Sequence, residues 1–253
     1  MSDPTAHGRL GVVVSSNLAT PRIALAVGAH PDDVDFGCGG TLAKWAADGC
    51  DVHYLVCTDG SKGSWDPGQD TARLVALREE EQRRASEAIG GAGRVTFLRQ
   101  VDGELSCTRE LTARVAYEIR RVRPEAVLGH DPWKRYRLHP DHRHAGFLLT
   151  DGIVAARDPH FFPEQDVSPH RPSALLLWEA DEPDHLEDIS GFEDTKLRAL
   201  LEHKSQHEST MRIGADDTEA VEAFAARLRN RQAAAGAPLG LAAAEAFKLL
   251  TDL

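Results

Sequence analysis

Seven consecutive residues, Ile23-Ala24-Leu25-Ala26-Val27-Gly28-Ala29, carry no polar side chain. A strand with one wet face would alternate apolar and polar positions, so a run this continuous requires burial on both faces, as in a parallel sheet covered by helices. Four more short apolar runs follow: Val52–Cys57, Val95–Leu98, Ala126–Gly129 and Ala174–Trp178. Between them lie stretches of helical periodicity: Thr41–Asp48 stopped by Gly49, Leu74–Ile89 stopped by Gly90 and Gly91, Thr108–Val122 before Pro124, and Asp141–Ala156. Strands alternating with helices at these lengths predict right-handed βαβ crossovers.

The predicted fold is therefore an α/β, doubly wound, mostly parallel sheet of Rossmann-like kind, with core strand order 3-2-1-4-5 and flanking helices. Composition agrees. Of the 253 residues 42% are hydrophobic but only 6% aromatic, so the core is built from Val, Leu, Ile and Ala. With no linker or repeat, residues 1–253 read as one domain, with a flexible leader over 1–20 and C-terminal helices over 207–253. The net charge of −11, with no basic block, excludes nucleic acid and anionic membrane as partners. No apolar run is long enough to span a bilayer and the first residues lack a secretory pattern, so the expected location is the cytoplasm. Cys38, Cys50, Cys57 and Cys107 show neither CxxC pairing nor zinc-ribbon spacing and read as reduced thiols.

Two clusters of metal-capable side chains stand out. His30-Pro31-Asp32-Asp33 follows strand one, and His139-Pro140-Asp141-His142 lies after strand four. In this strand order the two strands are neighbours where the winding reverses, and ligands bind in the crevice at that switch point. Two imidazoles and a carboxylate, His30, His142 and Asp33, make a three-ligand site with an open position, the composition of hydrolytic zinc. Asp32 is then free beside the ion to take a proton from its water, and His139 is free to stabilise an oxyanion or protonate a leaving amine. Either motif alone is also an ordinary Pro-containing turn whose Asp caps the next helix.

At these residues the sequence resembles the LmbE/PIG-L family of zinc-dependent N-deacetylases. The resemblance runs from strand one to about Gln206. It rests on Ala29 to Asp33 followed by Gly37-Cys38-Gly39-Gly40-Thr41, on His139 to His142, and on smaller echoes at Thr58-Asp59-Gly60, Arg78 to Glu81, Asp102-Gly103-Glu104, Asp188 to Ser190, Lys196 and His203 to Gln206. It implies zinc, with Fe2+ as the alternative ion, on His30, Asp33 and His142. It further implies Asp32 as general base, His139 as the residue aiding the tetrahedral intermediate, and Arg78 and Asp102 as substrate contacts. Many members continue the first motif with Glu, whereas here Val34 and then Asp35 follow, which changes the shell behind the ligands.

Asp141 is placed to orient one of its two neighbouring histidines or simply to cap a helix. The glycines at 37, 39 and 40 read as a steric need rather than a phosphate loop. His203 and His207 read as an exposed helical face, His144 as solvated, and Trp65, Trp133 and Tyr136 as either a platform for a sugar or loop anchors. The expected partner is a small N-acylated molecule, an amino sugar or a mycothiol-type conjugate, with a homo-oligomer as the alternative to a monomer. Two rival readings remain on sequence grounds: a non-haem Fe(II) oxygenase, which also uses two His and a carboxylate, and a non-catalytic binding module.

Overall fold

The computed structural model describes residues 14–215 and 217–253. All of its strands join one eight-stranded sheet: β1 (Ser15–Ser16), β2 (Ile23–Gly28), β3 (Asp51–Thr58), β4 (Val95–Gln100), β5 (Ala126–His130), β6 (Ala174–Trp178), β7 (His185–Asp188) and β8 (Ala244–Leu250). The order across the sheet is β1-β7-β8-β6-β5-β2-β3-β4. Read from the β4 edge, the first five strands are the predicted 3-2-1-4-5 core, and every pairing among them is parallel. The winding reverses between β2 and β5, where Ala24 pairs with Ala126 and Val27 with Gly129.

Strand alternation divides the core into two layers. Leu25 and Val27 pack with Leu111, Val115 and Ile119 of α3 (Arg109–Val122) and Leu148, Leu149 and Ile153 of α4 (Pro140–Arg157). Ala24 and Ala26 face the other side, with Leu42 and Trp45 of α1 (Asp33–Ala47), Ala85 of α2 (Thr71–Ala88) and Ala199 of α5 (Glu193–Leu201). No described helix is long and apolar enough to cross a membrane.

Three sequence expectations are corrected. The leader falls outside the described residues as far as 13, but Ser15 and Ser16 form β1 and pair with β7. The first helix starts at Asp33 rather than Thr41 and carries the glycines within it, with non-helical dihedrals at Cys38. Packing explains this: a Cβ on Gly37 would lie 2.5 Å from the Trp178 ring, and one on Gly40 2.7 Å from Ile189. The stretch 207–253 is only partly helical. After α6 (Thr218–Gly236) the chain turns into β8, which runs antiparallel between β6 and β7.

Ala-rich residues favour helix by intrinsic propensity, but tertiary contacts override it here. Glu245 of β8 is buried and accepts from the backbone N–H groups of Gly40 and Thr41, from Thr41 Oγ1, and from Lys196 Nζ at 2.6 Å. This carboxylate pins α1 and α5 to the inserted strand. Removing it would leave a buried ammonium without its partner, so Glu245→Ala is expected to lower the unfolding free energy by about 3–5 kcal/mol in urea denaturation. A loss within a few tenths would show that the strand is held by something else.

Candidate functional site

The site forms where β2 and β5 end. His30 leaves β2, Asp32 caps α1 and Asp33 is its first residue, while His139 caps α4 and His142 lies in its first turn. Asp32 adopts φ 105° and ψ −29°, a left-handed conformation that costs energy in any residue with a side chain. Buried hydrogen bonds hold it there. The Asp32 N–H donates to Gln82 Oε1 at 2.8 Å, and Gln82 Nε2 donates in turn to Asp35 Oδ2 at 2.8 Å. Asp35, buried, also accepts from Tyr54 Oη at 3.0 Å and pairs with His203 Nε2 at 2.9 Å. His203 is thus buried, not the exposed helical face expected from sequence.

Asp33 is the hub. Its Oδ2 lies 3.3 Å from His30 Nδ1 and 3.2 Å from His130 Nε2, and its Oδ1 lies 3.4 Å from His142 Nε2. Burial opposes ionisation, but the imidazoles of His142, His130 and His30 outweigh it and hold the Asp33 carboxyl well below its usual range. His142 is pushed down to about 4 by burial, against the pull of Asp33, so its ring is neutral at pH 7.

The far nitrogen of each ring decides which histidines could bind a cation. His30 Nε2 faces Asp102 Oδ1 at 3.1 Å and Asp141 Oδ2 at 3.2 Å, which keeps a proton there. Burial opposes a charged ring, but Asp102, Asp141 and Asp33 outweigh it and hold His30 well above its usual range, so Nδ1 is the nitrogen whose proton a cation would displace. His130 is the reverse. Trp178 Nε1–H donates to its Nδ1 at 2.9 Å and Arg137 Nη1 does so at 3.2 Å, so the Nδ1 lone pair is taken. Burial opposes a charged ring and the nearby carboxylates Asp33 and Glu179 favour one, but two donors aimed at Nδ1 require it neutral, which puts the proton on Nε2, 3.2 Å from Asp33 Oδ2 without forming a hydrogen bond. His139 Nδ1 accepts from the Asp141 N–H at 3.3 Å, which puts the proton of its neutral ring on Nε2. Arg137 Nη1 has two protons, and its shorter contacts to Glu179 at 2.7 Å and to His130 take both. None remains for His142 Nδ1.

Three groups are left for a cation, His30 Nδ1, Asp33 and His142 Nε2, with the two imidazoles against different oxygens of the Asp33 carboxylate. Tetrahedral ligands at 2.0–2.1 Å from an ion stand about 3.3 Å apart. The two Asp33 to imidazole separations, 3.3 and 3.4 Å, fit that spacing. Among the described residues the groups whose ligand atoms lie within 4.8 Å of one another are His30 with His139 and His142, Asp33 with His130 and His142, and His30 with Asp102 and Asp141, so the expected set joins His30 and His142 of the first to the carboxylate of the second.

Beside this set stands Asp32. Burial pushes its carboxyl up to about 6, with the Arg78 guanidinium opposing, Nη2 being 3.6 Å from Oδ2. Arg78 is buried and donates to the carbonyls of Gly60 at 2.8 Å and Pro31 at 2.7 Å. Asp102, expected to contact substrate, is turned onto His30, and its Oδ2 accepts from the Lys62 N–H at 3.1 Å. Asp141 orients His30 rather than either neighbouring histidine, and is itself held by the N–H groups of Gly103 and Leu105. His144 is half-buried with Nδ1 against the Leu105 carbonyl, not solvated. Trp65, Trp133 and Tyr136 are 78, 61 and 88% exposed, which removes the loop-anchor reading, and Trp65 lines the cavity over the site.

Sequence reasoning missed His130, Arg137 and Gln82. His130 had a signal, a polar residue directly after the apolar run of β5 at the switch point. Gln82→Met should lower the unfolding free energy by about 1–3 kcal/mol, because it strands the Asp32 N–H and takes a donor from Asp35. An unchanged urea midpoint would refute this account of the strained turn.

The family model described as GlcNAc-PI de-N-acetylase, PIG-L, matches residues 25–153. Diacetylchitobiose deacetylase of Thermococcus kodakarensis is 40% identical over 185 residues, 72% of this chain and 69% of its own. A 1D-myo-inositol 2-acetamido-2-deoxy-alpha-D-glucopyranoside deacetylase of Rhodococcus opacus is 35% identical over 66% of this chain and 64% of its own. Among solved structures, N,N'-diacetylchitobiose deacetylase from Pyrococcus horikoshii superposes with a TM-score of 0.81 at 29% identity, covering 91% of this chain and 84% of that one. One relative is named for other chemistry: 4-oxalmesaconate hydratase of Pseudomonas putida, 29% identical over 73% of this chain and 74% of its own. With a family match over half its length and a relative at 40% identity, this chain belongs to the PIG-L family.

Proposed function

We propose that the protein is a zinc-dependent N-deacetylase of an acetylated amino sugar or amino-sugar conjugate, working as one domain in the cytoplasm. The observation that carries this reading is the placement of His30 Nδ1 and His142 Nε2 against the Asp33 carboxylate, with a spare carboxylate, Asp32, adjacent in the chain. His30, Asp33 and His142 would hold a divalent ion, which would supply an acidified water and polarise the acyl carbonyl. Asp32 accepts the proton as the water oxygen bonds to the acyl carbon. Arg78 keeps that carboxylate oriented, and the Gln82 relay fixes its backbone. His139, with its proton on Nε2, donates a hydrogen bond to the oxyanion. When the carbon–nitrogen bond breaks, the amine takes from Asp32 the proton that carboxylate accepted from water, and acetate and free amine leave. The deacetylases among the relatives support the choice of reaction, and the exposed Trp65 ring on the cavity supports a sugar as substrate.

Asp32→Asn is expected to retain the metal by elemental analysis while acetate release falls by about three orders of magnitude or more. His142→Ala is expected to lose both metal and activity, and chelator should abolish release by the wild type. An Asp32 variant that came out metal-free would overturn the division of roles. Because the base works only when ionised, kcat/KM should be lost as pH falls through a limb no higher than about 6, since a bound cation can only lower the Asp32 value from there. A limb near pH 7.5 or above would assign the proton to another group. The hydratase relative supplies the second reading, addition of water to an unsaturated carboxylate, which predicts no acetate release from any N-acetyl substrate.

A further inference from the structure

The cavity above the metal-capable cluster has a volume of about 840 Å³ and extends well beyond that cluster. It lies near the upper end of the roughly 300–1,000 Å³ typical of small-molecule sites. His30, Asp33 and His142 line it, and so do Arg227, Arg231 and Gln232 of α6. Arg227 and Arg231 are one turn apart and share a helix face. In a chain of net charge −11, neither is in an ion pair among the described residues, whereas Arg229, on another face, is paired with Asp194 at 2.8 Å. Arg227 is held in place by one hydrogen bond to the Met211 carbonyl at 3.0 Å and by the Phe224 ring 5.8 Å away, which leaves its remaining donors uncommitted.

A second observation points the same way. Gln232 is 3% exposed, and among the described residues neither its amide nitrogen nor its amide oxygen has a hydrogen-bond partner. A buried amide left unpaired on both atoms is costly, and in a cavity wall it marks where a ligand's polar groups belong.

We propose that Arg227, Arg231 and Gln232 form a subsite for an anionic group, phosphate or carboxylate, carried by the amine portion of the substrate. The substrate class is then an acidic N-acetylated sugar, an identification that rests on the deacetylase reading above; the anion subsite itself does not. Guanidinium forks bind both oxyanions with charge-assisted, directional hydrogen bonds. The amide of Gln232 supplies a neighbouring donor and acceptor for a sugar hydroxyl.

The test uses the full-length, metal-loaded protein carrying Asp32→Asn, titrated with N-acetylglucosamine, N-acetylglucosamine 6-phosphate and N-acetylmuramic acid. At least one acidic sugar should bind about tenfold or more tightly than the neutral one, the worth of a charge-assisted hydrogen bond. Which of the two is preferred separates phosphate from carboxylate. Adding Arg227→Ala with Arg231→Ala should erase that preference while the metal content stays the same, so that an anion resting on the metal itself is told apart. Arg231→Glu should invert it. Equal binding of all three sugars, or a preference that survives the double substitution, overturns the subsite. Acetate release by the Asp32-containing protein is scored separately: preferential binding without release sinks the deacetylase reading and leaves the subsite standing, and release without preference does the opposite.

Discussion

Everything at the site is arranged around the charge on Asp33. Three imidazoles from separate segments lie within 3.4 Å of its two oxygens, and the His130 and His142 rings stack with centroids 4.4 Å apart. The carboxylate also sits at the N-terminus of α1, where free backbone N–H groups favour negative charge. A residue at that helix position is fixed by the fold and not by a flexible loop. The switch point between β2 and β5 therefore delivers the carboxylate from one side and His142 from the other in a preset geometry.

Behind this hub the protein assigns protons by hydrogen bonding. Asp102 and Asp141 take the outer proton of His30, and the Trp178 indole fills the outer lone pair of His130. Two rings similar in composition and both near Asp33 are thereby given opposite roles, one able to bind a cation and the other, with its Nδ1 lone pair taken, unable to. The departure at Val34 and Asp35 from the motif common in the family belongs to the same layer. Asp35 is turned away from the metal-capable cluster and collects Tyr54, Gln82 and His203, so it steadies Asp32 from behind.

The core strands, their order and the convergence of the two motifs were legible because continuous apolar runs have few alternatives and a switch point is a topological consequence of them. The start of α1 was not, because Gly37 and Gly40 look like turn residues until the Trp178 ring and Ile189 lie against them. The strand at 244–250 was hidden by its alanines, whose helix preference is local, while the contacts of Glu245 that override it reach residues some two hundred positions away. The bond from Asp102 to His30 was hidden for a similar reason: a motif gives a residue's neighbourhood, and only the fold gives the direction of its side chain. His203 was misread because helical spacing carries no information about a buried carboxylate contributed by another helix.

The position of β8 imposes an order of assembly. It comes after β6 and β7 in the chain yet lies between them, so those two strands cannot pair directly and must leave a slot one strand wide until the later segment arrives. Until then the β6 border offers unpaired backbone groups to any other extended chain. A polypeptide emerging from the ribosome at about 5–20 residues per second passes through that state for several seconds, and during this interval it is most in need of shielding by a chaperone.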